Sequence, residues 1–263
     1  MTSQQRSEIL PDAIKAAINR RFERIVIFSG AGMSADSGIP TFRSGENGLW
    51  SEFNPAELAT PEAWQRDKAT VWGWYEWRRG IILRAQPNPG HLAVAQLQRA
   101  LPVGVVTQNV DDLQERAGVS DVLHLHGSLL ATRCDTCGLP CPLDEPPVGP
   151  QRAVAPPQCS VCAGHIRPGV VWFGESLDTT VLGKSEKLLE ASDLLLVVGT
   201  SGVVYPAAGL VSRAPRSALI IEINPEISSV AGRIDHHLRT TAAKGLPAIA
   251  EYLLAVGSGG VFE

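Results

Sequence analysis

Two groups of residues in this chain have the types and spacing to do chemistry. The first is Gly30-Ala31-Gly32-Met33-Ser34-Ala35, which follows the apolar run Ile25-Val26-Ile27-Phe28. That run has the length and β-branching of a buried strand. The spacing fits the G-x-G-x-x-A form of the dinucleotide fingerprint. Gly30 would allow the tight turn, Gly32 the close approach of backbone to a pyrophosphate, and Ala35 the packing of a helix on the strand. Amides at the start of that helix would then face the phosphates. A plain strand-to-helix turn uses the same glycines, so the pattern alone leaves both readings open. The continuation Asp36-Ser37-Gly38-Ile39-Pro40-Thr41-Phe42-Arg43 argues against an ordinary dehydrogenase. Such a fold runs on into a helix and a second strand, whereas this chain breaks at Gly38 and Pro40.

The second group is a pair of C-x-x-C knuckles, Cys134-Asp135-Thr136-Cys137 and Cys159-Ser160-Val161-Cys162, with 21 residues between them. That gap slightly exceeds the usual zinc-ribbon spacing. A two-residue spacer lets both thiolates of a knuckle reach one tetrahedral ion, and two knuckles complete a Cys₄ shell. A closed shell has no position for substrate, so such an ion would be structural. A redox pair or simple buried thiols are the rival readings. Cys141 either competes for the site or is a small core thiol. Asp135, Asp144 and Glu145 argue against a DNA-binding ribbon.

These groups need a scaffold. The candidate strands Ile25–Phe28, Val103–Thr107, Val122–Leu125, Leu194–Val198 and Leu219–Ile223 alternate with helical or loop sequence, including an amphipathic helix over Pro11–Phe22. The expected fold is α/β, a Rossmann-like, mainly parallel sheet with helices on both faces. Loops after these strands, Gly30-Ala31-Gly32, Gln108-Asn109-Val110-Asp111, Gly199-Thr200-Ser201 and Asn224-Pro225-Glu226, should converge on one site. Two stretches interrupt the alternation: Thr60–Arg84, a helical segment with four of the six tryptophans, and Arg133–Ile166, rich in Pro and Cys. Both read as insertions forming a smaller module. The expected division is 1–44, 88–130 and 167–263 for the sheet domain, 45–87 for a helical insert and 131–166 for a zinc ribbon.

At 263 residues, 44% hydrophobic and 19% charged, the chain can bury a full core. A net charge of −4 advertises neither nucleic acid nor an anionic membrane as partner. Met1–Leu10 lacks an apolar signal core, and no apolar run approaches the ~20 residues of a membrane span. The expected compartment is the cytoplasm, where thiols or metal ligands are the usual state of cysteine.

Taken in order, the Gly30–Arg43 stretch, Gln108–Asp111, His126-Gly127, the two knuckles, Val171-Trp172-Phe173-Gly174-Glu175, Gly199–Ser201 and Asn224–Glu226 resemble the motifs of a sirtuin. The resemblance runs from about Ile25 to Leu253. It implies an NAD-dependent protein-lysine deacylase, with a Rossmann-like domain and a small domain of a zinc ribbon and a helical insert. Acylated lysines of proteins and NAD would be the substrates, entering the cleft between domains from opposite sides. The acyl oxygen would displace nicotinamide from C1′ of the ribose, giving nicotinamide, free lysine and an O-acyl-ADP-ribose.

The resemblance also assigns residues. His126 is implied as the general base for a ribose hydroxyl, a task that suits an imidazole; by itself it is equally a strand-end histidine, as His124 could be. Asn109 would orient ribose and water, and Asp111 would accept from the nicotinamide amide. Gly30, Ala31, Gly32, Ser34, Ala35, Ser37, Gly38, Thr41, Phe42, Arg43, Trp50, Gln108, Val110, Gly199, Thr200, Ser201, Asn224, Pro225, Glu226 and Ala242 would complete the NAD site, with Phe42 and Arg43 on a mobile cofactor loop. Cys134, Cys137, Cys159 and Cys162 would hold one structural zinc ion. Val171, Trp172, Phe173, Gly174 and Glu175 would form an extended edge for substrate peptide.

Within the family, Tyr75-Glu76-Trp77-Arg78 is similar to the Y-x-x-R signature of the subgroup that removes succinyl and malonyl groups. Residues three apart share a helix face, and Arg78 offers a fork able to pair with a distal carboxylate. Ala59 stands where the subgroup carries a small residue. Acetyl-lysine would remain a possible substrate. The alternatives are a mainly acetyl-lysine deacetylase, an NAD-dependent mono-ADP-ribosyltransferase, and a non-enzymatic NAD sensor.

Overall fold

A computed structural model describes residues 6, 8–41, 54–143, 151–229 and 233–257. Its strands are β1 (Ile25–Ser29), β2 (Val103–Thr107), β3 (Leu123–His124), β4 (Gly127–Cys134), β5 (Ile166–Val170), β6 (Leu194–Val198), β7 (Leu219–Ile223) and β8 (His236–Leu238). Six of them form one sheet in the order β3-β2-β1-β6-β7-β8, with every pairing parallel. Side chains alternate along each strand, and both faces are covered. Ile25 and Ile27 of β1 pack with helices Asp12–Ile18, Pro89–Ala100 and Ala242–Gly257. Val26 and Phe28 face the opposite core, shared with helix Thr179–Glu190 and the 3₁₀ stretch Ala207–Arg213. Strand order reverses between β1 and β6, and such a switch point is where open α/β sheets bind ligands.

A smaller module stands beside this sheet. Strands β4 and β5 pair antiparallel with a register shift between Ser128 and Thr132, leading the chain from His126 to the first knuckle and returning from the second. The tryptophan-rich segment packs on that ribbon. It forms helices Pro55–Leu58, Pro61–Arg66 and Lys68–Arg84, because Thr60 Oγ1 caps the Ala63 amide and Asp67 Oδ1 the Thr70 amide. Trp64, Trp72 and Trp74 are buried in one cluster with Leu129, Ile166, Val170 and Trp172. Trp64 Nε1 donates to Asp135 Oδ2 at 3.1 Å, joining the insert to the first knuckle.

Several expectations change. The helix expected over Pro11–Phe22 covers Asp12–Ile18, and the third strand shortens to Leu123–His124. After β1 there is no α-helix but two 3₁₀ turns, Ala31–Met33 and Ala35–Ser37, the second ending at Gly38 in the left-handed region. Ala35 is therefore exposed rather than packed on the strand, and Met33 fills the core instead. Among the described residues, no helix is long and apolar enough to cross a membrane.

Candidate active site and metal centre

Five loops at the carboxyl end of the sheet are tied into one network. Gly32 N donates to Gly199 O at 2.8 Å, and a Cβ on Gly32 would lie 2.7 Å from Gly199 Cα. Gly32 thus serves first to let the β1 and β6 loops touch. Gln108 Nε2 donates to Thr200 Oγ1 at 3.0 Å, and Asn224 Nδ2 to Thr200 O at 2.9 Å. The backbone oxygen of Ser201 accepts from Ser229. Ala242 is buried at the start of the last helix, its carbonyl close beneath Gly90. Pro225 and Glu226 are exposed beside this rim. Thr41 is half-buried; Phe42, Arg43 and Trp50 lie outside the described residues, as do Asp144 and Glu145.

His126 Nδ1 sits 3.0 Å from the Gln108 carbonyl oxygen. Only an N–H can donate to a carbonyl, so the proton is on Nδ1 and the lone pair on Nε2. Burial lowers the pKa of His126 despite the opposing pull of that carbonyl. The group is a neutral imidazole whose basic nitrogen is Nε2. Gly127 sets its direction: φ is +72°, and a Cβ there would collide with Gly169 O. His124 is different. Its Nδ1 lies 2.9 Å from Asn109 O and its Nε2 2.7 Å from Glu115 Oε1. Burial opposes its charged form, but Glu115 and the Asn109 carbonyl together hold its pKa above the ordinary value.

Beneath the β1 loop, Ser34 Oγ donates to Asp111 Oδ2 at 2.9 Å and accepts from Asn109 Nδ2 at 3.0 Å. Asp111 Oδ1 accepts the Leu113 amide at 3.1 Å. Asp111 is buried, which raises its pKa against these bonds. In this arrangement its carboxylate organises Ser34 and the Leu113 turn, and a carboxamide would reach it only through remaining lone pairs. Two residues that the motif reading missed complete the support. Asn88 Nδ2 donates to Met33 O and Ser37 Oγ at 2.9 and 3.0 Å. His91, fully buried, accepts the Asn88 amide on Nδ1 and turns Nε2 to Ser34 Oγ at 3.4 Å. Asn-Pro-Gly-His was a readable signal: an N-cap followed by proline at the first helical position.

Ala59, Tyr75 and Trp172 share one buried cluster, and Arg78 is 8% exposed. The Arg78 guanidinium lies 4.9 Å from the Trp74 ring centre, with Ile39, Pro40, Trp77, Ile81 and Ile82 lining a narrow cleft beside it. Burial pushes the Tyr75 pKa well up, and the Arg78 charge opposes it only in part, so the phenol keeps its proton. The loop after β5 is not the extended edge expected. Val171 N donates to His126 O and Phe173 N to Ala59 O, each at 2.9 Å, after which a turn closed by Glu175 N and Trp172 O reverses the chain. Glu175 belongs to an ion pair with Arg167 at 2.7 Å instead of to a strand edge.

The Sγ atoms of Cys134, Cys137, Cys159 and Cys162 lie within 4.8 Å of one another. Cys134–Cys162 and Cys137–Cys159 are 3.4 and 3.8 Å apart, too far for disulfides. A zinc–sulfur distance of about 2.3 Å makes a tetrahedron with edges of about 3.8 Å, so the four thiols are positioned to bind one structural zinc. Amides of Thr136 and Cys137 point at Cys134 Sγ, stabilising thiolate. Asp135 brackets the knuckles: its Oδ1 accepts the His165 amide at 2.9 Å. Cys141 is outside this cluster, with its thiol on the Leu139 carbonyl.

A parallel sheet with its crevice at the β1/β6 reversal, a neutral histidine at its rim and a Cys₄ ribbon beside it define an α/β enzyme of the Rossmann type. Residues 30–206 match the Sir2 family model, and the chain belongs to that family. It is 51% identical over 232 residues to NAD-dependent protein deacylase 1 of Pseudomonas aeruginosa, covering 85% of this chain and 92% of that one. Among solved structures, a Sir2 homologue–NAD complex matches with a TM-score of 0.84 at 40% identity, covering 96% of each chain. A Sir2 homologue mutant bound to 2′-O-acetyl ADP ribose matches with 0.84 at 39% identity, covering 97% of this chain and 99% of that one.

Proposed function

We propose that this Sir2 family member is an NAD-dependent protein-lysine deacylase that removes succinyl and malonyl groups in preference to acetyl. The acyl oxygen of the modified lysine displaces nicotinamide from C1′ of the ribose. His126 Nε2 then takes the proton of a ribose hydroxyl, which attacks the acyl carbon; one water adds at that carbon and the carbon–nitrogen bond breaks, with protons passed to the leaving amine, giving free lysine and O-acyl-ADP-ribose. Asn109, oriented through Ser34, positions ribose and water. The zinc holds the ribbon and has no part in bond making.

The acyl preference rests on one observation: Tyr75 and Arg78, one turn apart on a single helix, are both buried, at 4% and 8% exposure. Both are hydrogen-bond donors, and a pocket of donors favours an anionic acceptor. A bidentate, charge-assisted pair contributes about 1.5–3 kcal/mol, or roughly ten- to a hundredfold in specificity. Arg78→Met should therefore lower kcat/KM for succinyl- and malonyl-lysine peptides by at least ~10-fold while acetyl-lysine turnover falls less. An equal loss on all three peptides would assign Arg78 to the fold and refute the preference.

A further inference from the structure

The turn after β5 has a feature that neither the base nor the acyl pocket accounts for. Trp172 Nε1 lies 2.9 Å from the Tyr75 hydroxyl oxygen, both groups buried. An indole N–H can only donate, so the phenol oxygen is the acceptor. A phenol carries one proton, which lies near the ring plane on one side of the oxygen or the other. With the indole on one side, that proton is left to the other side, available to a second partner.

The indole is itself held on several edges. The Arg167 guanidinium carbon lies 3.4 Å from the Trp172 ring centre, stacked on its face. Arg167 is fixed by a fork to Glu175, with contacts of 2.7 and 3.0 Å, and by a bond to Val170 O. Glu175 Oε2 accepts the Trp172 amide at 2.9 Å, so the carboxylate holds both the backbone of Trp172 and the cation that covers its ring. The same turn is bonded to the carbonyls of His126 and Ala59. Base and acyl pocket thus share one short, braced segment.

We propose that Trp172 is a positioning residue for acyl selectivity: its indole N–H occupies the Tyr75 oxygen and directs the phenolic proton to the distal carboxylate of the acyl group, with the Arg167–Glu175 pair locking the indole in place. This rests on the acidic-acyl reading above. Burial of Tyr75 keeps the phenol protonated and hence a donor. Arg78 then supplies charge, and Tyr75 supplies a proton of fixed direction.

The test is a double-mutant cycle of Trp172→Phe and Tyr75→Phe, read as the succinyl-to-acetyl ratio of kcat/KM. Phe keeps an aromatic ring at each position. Trp172→Phe alone should lower the ratio by about two- to tenfold, the worth of one neutral hydrogen bond, mainly through a higher KM for the succinyl peptide. In the Tyr75→Phe background it should change the ratio no further. An unchanged ratio in the single variant, or the same fall in both backgrounds, would overturn the proposal. Should Trp172→Phe fail to fold by circular dichroism, Arg167→Met and Glu175→Gln, which release the indole, are held to the same criterion. If Arg78→Met and Tyr75→Phe both leave the ratio unchanged, it is the acidic-acyl reading that has failed, and this inference falls with it.

Discussion

His126 and His124 are the same residue type two positions apart, and their chemistry is set by their partners. His124 has acceptors at both nitrogens, which hold its pKa above the ordinary value against burial; His126 has one carbonyl acceptor, and burial outweighs it and lowers its pKa. His126→Ala should reduce product formation by at least ~10²-fold, the scale of a lost general base, with NAD affinity largely retained in calorimetry; near-normal turnover would show that the base lies elsewhere. Because burial lowers the His126 pKa, the acid limb of kcat/KM against pH should fall below the ordinary histidine value of ~6.5. An acid limb above that value would mean that a different group titrates. In the sequence only the family resemblance at His126-Gly127 tells these two histidines apart, since what separates them physically is a carbonyl eighteen positions earlier and a glutamate on another turn. Tyr75 and Arg78 were legible as a pair, but their burial was not, because it depends on Trp172 and the ribbon.

At the scale of elements, the start of helix Pro89–Ala100 braces the whole β1 loop. Asn88 grips Met33 and Ser37, while His91 faces Ser34, which in turn carries Asp111 and Asn109. Burial brings the His91 pKa down to about 4. Between that value and the unfolded value of ~6.5 the unfolded chain binds the extra proton, so stability rises with pH across this window and is lost on acidification. His91→Gln should flatten the fall of Tm between about pH 6.5 and 4; a slope equal to that of the wild type would rule His91 out as the acid-sensitive group. Buried parallel strands were easy to read, because each is an unbroken apolar run: β1, β2, β6 and β7 fall where expected. Strands β4 and β5 were not, since they carry polar, glycine and proline residues and are held by pairing with each other and by the tryptophan cluster. The turn after β1 misled for a related reason. Its glycines suit a helix-opening loop, but here they are needed so that the β1 and β6 loops can touch.

Across the whole molecule, the sheet supplies the crevice at the β1/β6 reversal, and the ribbon with its helices supplies the buried cluster that holds Ala59, Tyr75 and Trp172. The knuckles lie between the end of β4 and the start of β5, and β4 begins one residue after His126, so metal loss should be felt at the site without any ligand being catalytic. Elemental analysis should find one zinc per chain, and Cys134→Ala should lower Tm and release the metal; a metal-free protein of full activity and unchanged Tm would exclude a structural ion. The proposed reaction is NAD-dependent removal of acyl groups with a distal carboxylate. It is tested most directly by one side-by-side measurement of nicotinamide release and free-lysine formation on peptides of identical sequence bearing acetyl, malonyl or succinyl lysine, with and without labelled NAD. Equimolar nicotinamide and deacylated peptide are expected, with no turnover without NAD and kcat/KM at least ~10-fold higher for the acidic acyl groups. Preference for acetyl-lysine, or transfer of label from NAD to protein in place of deacylation, would contradict it.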